Sequence, residues 1–316
     1  MPDTTQDASL YDSLKRVPET ARAAFENGRL AMVSHAGYAP RRVLIDASGE
    51  ARLAANLVAS VIGRESTHPI VVQTDRKLPA WVEADDVVIA ASLTGTASHC
   101  VALLSEAADR GCGIAVAAGG GHLRDMADAQ KYPLVDLTGS ASTGVRAFSA
   151  LFFGLAGLTA AAALPGAGRA FGADAEAATV LLEALRDAYG PAAPTLANPA
   201  RMVAEALQGI RPVFYGTDGV ASDVAPVISQ RTWQIGAVAS TVGIVAPAGD
   251  NTAPHPEGDA AVLLSGADSP PDAANALLSH WRGESLHEIT LSGNTALEQA
   301  WSAIMLFDWA AFYMAV

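Results

Sequence analysis

Residues 86–123 read DVVIAASLTGTASHCVALLSEAADRGCGIAVAAGGGHL, and the order of apolar runs and loops within them decides the fold class. The run 87–91 is too short for a helix and is bounded by turn residues, so it predicts a buried strand. It breaks into the hydroxyl-rich turn Ser92-Leu93-Thr94-Gly95-Thr96. A helical pattern then covers 97–110, with Gly111 where a C-terminal glycine belongs. A second apolar run, 114–118, breaks into Gly119-Gly120-Gly121 before another helical segment. Strand, loop and helix in this order, twice, describe a parallel βαβα unit whose loops open at the carboxyl ends of the strands. Loop N–H groups and helix N-termini at such an edge attract small anions. Three hydroxyls in five residues suit a phosphate or sugar oxygen. They also suit ordinary capping of the following helix, and the turn alone leaves both readings open.

Working outward, residues 10–31 carry apolar positions at helical spacing, with Pro18 breaking or starting a turn. Strands are predicted at 43–46, 69–74 and 134–137, with a helix at 50–62. A long apolar helix runs from Val145. Residues 147–164 carry no charge over eighteen positions, the minimum for a membrane span. Their Ala, Gly, Ser and Thr content, and Pro165-Gly166 directly after them, predict a buried helix instead, and no membrane partner. The stretch 165–172, PGAGRAFG, reads as a linker; its glycines follow a helix rather than a strand, which excludes a dinucleotide fingerprint. Helices at 175–189 and 200–208 lead to a second α/β pattern. It has strands at 212–215, 242–246, 260–265 and 286–291, and helices at 224–239 and 295–316. The expected organisation is a helical segment over 1–35, a first α/β domain over 36–164, a linker with helices over 165–209, and a second α/β domain over 210–316. Trp309, Phe312, Tyr313 and Met314 near the chain end are more aromatic surface than water tolerates, which predicts a homodimer.

With 316 residues, half of them hydrophobic, and a net charge of −13, the chain has no basic stripe for nucleic acid. The first nine residues are polar and acidic, unlike a signal peptide, so a cytoplasmic location is expected. Cys100 and Cys112 read as reduced thiols. The seven histidines show no metal-ligand spacing, and neither a P-loop nor a G-x-S-x-G elbow is present, so neither a metal nor a cofactor is expected. His99 and His122 follow the two loops closely and stand where they would line the same edge, although surface positions on helices explain them as well.

The turn 92–96 resembles the S-x-S-G-x-T phosphate loop of sugar isomerase (SIS) domains. The flanking chain is similar to the bifunctional phosphoglucose/phosphomannose isomerases, in order along nearly its whole length. The resemblance implies an α/β protein of two SIS-type doubly wound parallel-sheet domains with a leading helical segment. It implies a sugar phosphate held by Ser92, Thr94, Gly95 and Thr96. Arg146 lies at or one position from the family's arginine after the fifth strand. Pro254-His255-Pro256-Glu257 resembles the family's N-H-N-E segment, which makes His255 the candidate ring-opening group and Glu257 a candidate acid–base partner.

Other family motifs are eroded. The family's catalytic glutamate follows a run like R-W-K-x-Q-x-N-E-N; here Arg231-Thr232-Trp233-Gln234 leads, in the register of Trp233, to Ala239. The family's C-terminal lysine has no counterpart, because the three lysines are Lys15, Lys77 and Lys131. The N-terminal motif G-M-G-G-S-A-I-G-G is matched by 46–54, where Glu50 takes the serine position. A carboxylate there favours the helix dipole and repels a phosphate dianion. These losses imply a sugar-phosphate-binding protein with weak or no isomerase activity. The alternative is an active aldose–ketose isomerase using His255, with Glu257 or another carboxylate as base.

Overall fold

In the computed structural model the structure describes residues 4–33, 40–75, 77–139, 144–164, 168–217, 219–244, 259–266 and 285–316, with isolated positions between 267 and 284. Five short runs rich in Val, Ile and Ala form the first sheet: β1 (Val43–Ala47), β2 (Ile70–Gln73), β3 (Val87–Ser92), β4 (Gly113–Ala118) and β5 (Leu134–Asp136). They pair in parallel in the order β2-β1-β3-β4-β5. β1, β3 and β4 are covered on both faces, which is why their sequences run unbroken instead of alternating. Two leading helices, α1 (Thr4–Lys15) and α2 (Val17–Val33), precede the sheet. Pro18 sits in the first turn of α2, where its missing N–H costs nothing. The helices α3 (Glu50–Gly63), α4 (Ser98–Asp109), α5 (Gly121–Gln130) and α6 (Val145–Ala163) alternate with the strands. Chain order reverses between β1 and β3, so the topological switch point lies at their carboxyl ends.

The helix α6, uncharged after Arg146, is, among the described residues, the one long and apolar enough to cross a membrane, and 89% of its apolar window is buried inside the protein. It packs on α2 through glycines. A Cβ on Gly157 would overlap the Phe25 carbonyl, and one on Gly28 would overlap the Gly154 carbonyl. The absent side chains let the two backbones touch. Gly157→Ala is therefore expected to destabilise by about 1–3 kcal/mol through overpacking. Gly172→Ala, with open space around it, should stabilise by roughly 0.5–1 kcal/mol. Urea unfolding of the two variants checks the contrast; equal midpoints would mean that the helix contact yields without cost.

The second sheet holds β6 (Arg211–Gly216), β7 (Thr241–Ile244), β8 (Asp259–Ser265) and β9 (Ser285–Thr290), parallel in the order β7-β6-β8-β9. After α6 the chain forms the helices α7 (Gly168–Tyr189), α8 (Pro199–Leu207), α9 (Gly219–Gly236) and α10 (Ala296–Ala315). Contacts divide the chain into one unit over 16–179, with the first sheet, and another made of 1–15 with 180–316.

The two sheets repeat one device. At the amino end of β1, Arg42 holds the buried Asp86 in front of β3 with two hydrogen bonds of 2.8 Å. At the amino end of β6, Arg211 holds Asp259 of β8 at 2.8 and 2.7 Å. The same fork-to-fork pair thus ties the same two neighbouring strands in each half, although the sequences around it do not repeat.

Three sequence expectations change. The stretch 165–172 is not wholly linker, because α7 begins at Gly168. Phe171, Ala175, Ala178 and Leu182 form a buried stripe at helical spacing, which outweighs the cost of a helical glycine. Helix α9 starts at Gly219, earlier than 224, and runs through Pro226 because Val220, Ala221 and Val224 bury on the same side. It stops at Gly236, and Ala237 adopts φ 50°, so Ala239 lies beyond the helix. The C-terminal aromatics are covered within the chain. Trp309 is fully buried and meets Tyr11 of α1 edge-on, and the Tyr313 hydroxyl donates to the Tyr189 carbonyl at 2.6 Å. The exposed aromatic face behind the homodimer expectation is therefore absent from this helix.

Candidate ligand site at the edge of the first sheet

The loop 92–96 leaves β3 at the switch point and leads into α4. Ser92 Oγ accepts from the Gly95 N–H at 3.0 Å, which closes the turn. Thr94 and Thr96 lie exposed, their hydroxyls 2.8 Å apart. Gly95 has φ 66°, and a Cβ on it would collide with the Gly120 carbonyl. Its own carbonyl accepts from the Leu123 N–H at 3.1 Å, so the loops after β3 and β4 brace each other. Helix α4 has Ala97 at its N-cap and no side-chain cap. None of the three hydroxyls caps this helix, so capping does not account for them. The Cys100 N–H is taken by the Ala97 carbonyl at 3.1 Å, and the N–H groups ahead of it remain for a ligand or for water.

Beside the loop, Asp46 stands at the carboxyl end of β1, in register with Gln73 of β2 and Ala90 of β3. Paired residues share a face, so Asp46 and Gln73 point to the side covered by α4. Asp46 is 0% exposed. Among the described residues no hydrogen bond reaches either of its carboxylate oxygens, nor the amide atoms of Gln73. Burial pushes the Asp46 carboxyl above its ordinary range; the neighbouring Cys100 thiol, His99 and Gln73 pull it back only in part. The same burial, reinforced by Asp46, pushes the Cys100 thiol far up, so it is protonated at neutral pH and not a nucleophile. The ligand-type atoms of Asp46, His99 and Cys100 all lie within 4.8 Å of one another. Sequence reading passed over this group. The signal available was a carboxylate ending a run of buried aliphatics, Val43-Leu44-Ile45-Asp46, where an unpaired charge is costly.

Arg146 opens α6 and lines a cleft of about 630 Å³ with Arg16, Thr20, Asn27, Asp136 and Gly139. Loop 92–96 is not among the residues that line this cleft. Arg146 Nε is buried and makes no hydrogen bond among the described residues. Glu50 sits in the first turn of α3, whose N-cap is Gly49 without a side-chain cap. His255 and Glu257 lie outside the described residues. Arg231, from the run that resembles the family's R-W-K segment, is buried and donates twice to Asp308 of α10, at 2.7 and 2.6 Å. It is a structural residue here.

Solved structures place the class. The chain superimposes on the tagatose-6-phosphate ketose/aldose isomerase of Escherichia coli with a TM-score of 0.66 at 12% identity, over 100% of this chain and 94% of that one. The C-terminal domain of glucosamine-fructose-6-phosphate aminotransferase from Francisella tularensis gives 0.69 at 11%, over 97% and 95%. A glucose-6-phosphate isomerase like protein from Thermus thermophilus gives 0.57 at 18%, over 96% and 92%. The fold is thus the two-sheet fold of SIS phosphosugar isomerases. Within that class the chain is similar to the bifunctional phosphoglucose/phosphomannose isomerase of Caldicellulosiruptor bescii, 24% identical over 216 residues. The match covers 68% of this chain and 62% of that protein, less than two-thirds of the relative's length. No family model matches the chain. The resemblance carried by residues 92–96 and their flanks stands, as that of a divergent relative.

Proposed function

We propose that this chain binds a sugar phosphate at the carboxyl edge of the first sheet, with weak or no isomerase activity. What carries the reading is the loop 92–96: its hydroxyls are not spent on capping α4, and glycine-braced backbone holds Thr94 and Thr96 outward beside the helix N-terminus. Phosphate oxygens would accept from those hydroxyls and from loop N–H groups, which offsets the repulsion of a chain with net charge −13. Arg146 is a second cationic group on the same unit and enters only if the ligand reaches its cleft. The cytoplasmic location belongs to the same proposal, as does the homodimer, which rests on the resemblance alone.

Ligand at a hundred times its dissociation constant stabilises a protein by roughly 2.7 kcal/mol, a shift that thermal unfolding resolves. Replacing Ser92, Thr94 and Thr96 together by alanine is expected to remove the shift given by hexose phosphates, each variant being compared with its own ligand-free melting. The absence of any shift in the wild type with hexose or pentose phosphates would overturn the proposal.

A further inference from the structure

We infer that Asp46, His99 and Cys100 form a binding site for a divalent transition metal, zinc foremost, with a fourth position open beside Gln73. Zn–S of ~2.3 Å and Zn–N of ~2.0 Å in a tetrahedron place sulfur and nitrogen about 3.5 Å apart. Cys100 Sγ and His99 Nε2 are 3.4 Å apart. The carboxylate completes the group within 4.8 Å, a gap that a small side-chain adjustment closes. Thiolate, imidazole and carboxylate together are a zinc donor set; Cys100 releases its proton to solvent as the ion binds, and one carboxylate with one thiolate then balances the charge of the ion. Calcium and magnesium, which take oxygen ligands, do not fit.

The independent observation is Asp46 itself: 0% exposed, both oxygens without a hydrogen bond among the described residues, and on the face that α4 covers. Two residues earlier on the same face, Leu44 belongs to an apolar cluster with Val88 and Cys100. A carboxylate at the rim of that cluster needs a counter-charge. The architecture does not demand it. Four residues after Arg211, the equivalent place in the second sheet holds Tyr215, paired with Gly243 and packed against Trp281. There the position opposite is a glycine, and the tyrosine ring fills the space that Asp46 and Gln73 occupy in the first sheet. Asp46 also stands where the resembling family carries the first glycine of its motif, so the site is a property of this chain.

The test uses the full chain stripped with a chelator and titrated with Co²⁺ and Zn²⁺. Expected are one equivalent of Co²⁺ bound with a thiolate-to-cobalt charge-transfer band, and displacement of that band by Zn²⁺. Cys100→Ser should abolish the band, whereas Cys112→Ser should keep it. Asp46→Asn and His99→Gln should each weaken Zn²⁺ binding by more than the roughly 10–100-fold that a supporting outer partner costs. Cobalt bound without a thiolate band, no stoichiometric uptake by the wild type, or unchanged affinity in Asp46→Asn and His99→Gln would overturn the assignment. The wild-type spectrum decides even if Asp46→Asn fails to fold.

Discussion

Asp308→Ala is expected to destabilise the chain by about 3–5 kcal/mol, the cost of depriving a buried guanidinium of its carboxylate. Arg231 and Asp308 are 2% and 1% exposed, and their two hydrogen bonds join α9 to the C-terminal helix α10. Water cannot replace the lost carboxylate at such burial, so the Arg231 guanidinium loses its counter-charge or the packing of α9 on α10 gives way. The double variant Arg231→Met/Asp308→Leu removes both charges and keeps the volume apolar, and should be far less damaging than the single one. Chemical denaturation of the wild type, Arg231→Met, Asp308→Leu and the double variant closes the cycle. Additive losses would show that the two groups do not depend on each other. A large positive coupling would show that Arg231, from the run that resembles the family's catalytic helix, serves stability here.

The parallel sheets were legible because buried strands need unbroken aliphatic runs, and 87–91 and 114–118 supply them between unmistakable loops. Boundaries set by glycine and proline were less legible. Gly168 and Gly172 read as linker, yet Phe171 and Ala175 bury, and helix packing overrides the local preference. The helix read over 224–239 begins earlier, at Gly219, and passes through Pro226. The aromatic chain end read as an interface because a sequence does not show that Tyr11 of the leading helix comes back to cover Trp309. At the candidate site, the hydroxyl loop was legible from its density of Ser and Thr. The group Asp46, His99 and Cys100 was not, because ligand spacing is sought within one segment. Here β1–β3 pairing and the first turn of α4 join residues more than fifty positions apart.

The purified chain is expected not to interconvert glucose 6-phosphate or mannose 6-phosphate with fructose 6-phosphate at an enzyme-like rate. Moving a proton between neighbouring carbons needs a base within hydrogen-bond reach of the carbon-bound proton, and each general acid–base group supplies about 10²–10⁴-fold. In the resembling family that base is a glutamate on the long helix of the second domain. The corresponding helix α9 carries Asp223 as its sole carboxylate, and Ala239, the matched position, lies beyond its end. No lysine follows residue 131. The base is thus missing from its helix position, and the rate should fall by at least about 10²-fold against an intact relative. Ring opening by His255 would not compensate, because it addresses the ring oxygen and leaves the carbon-bound proton in place. A coupled assay on the wild type, His255→Ala and Glu257→Gln decides. Robust turnover abolished by both substitutions would overturn the expectation and assign His255 and Glu257 to an active isomerase. Absent turnover, with the hexose-phosphate thermal shift retained, would leave the loop 92–96 as the functional part of a binding protein.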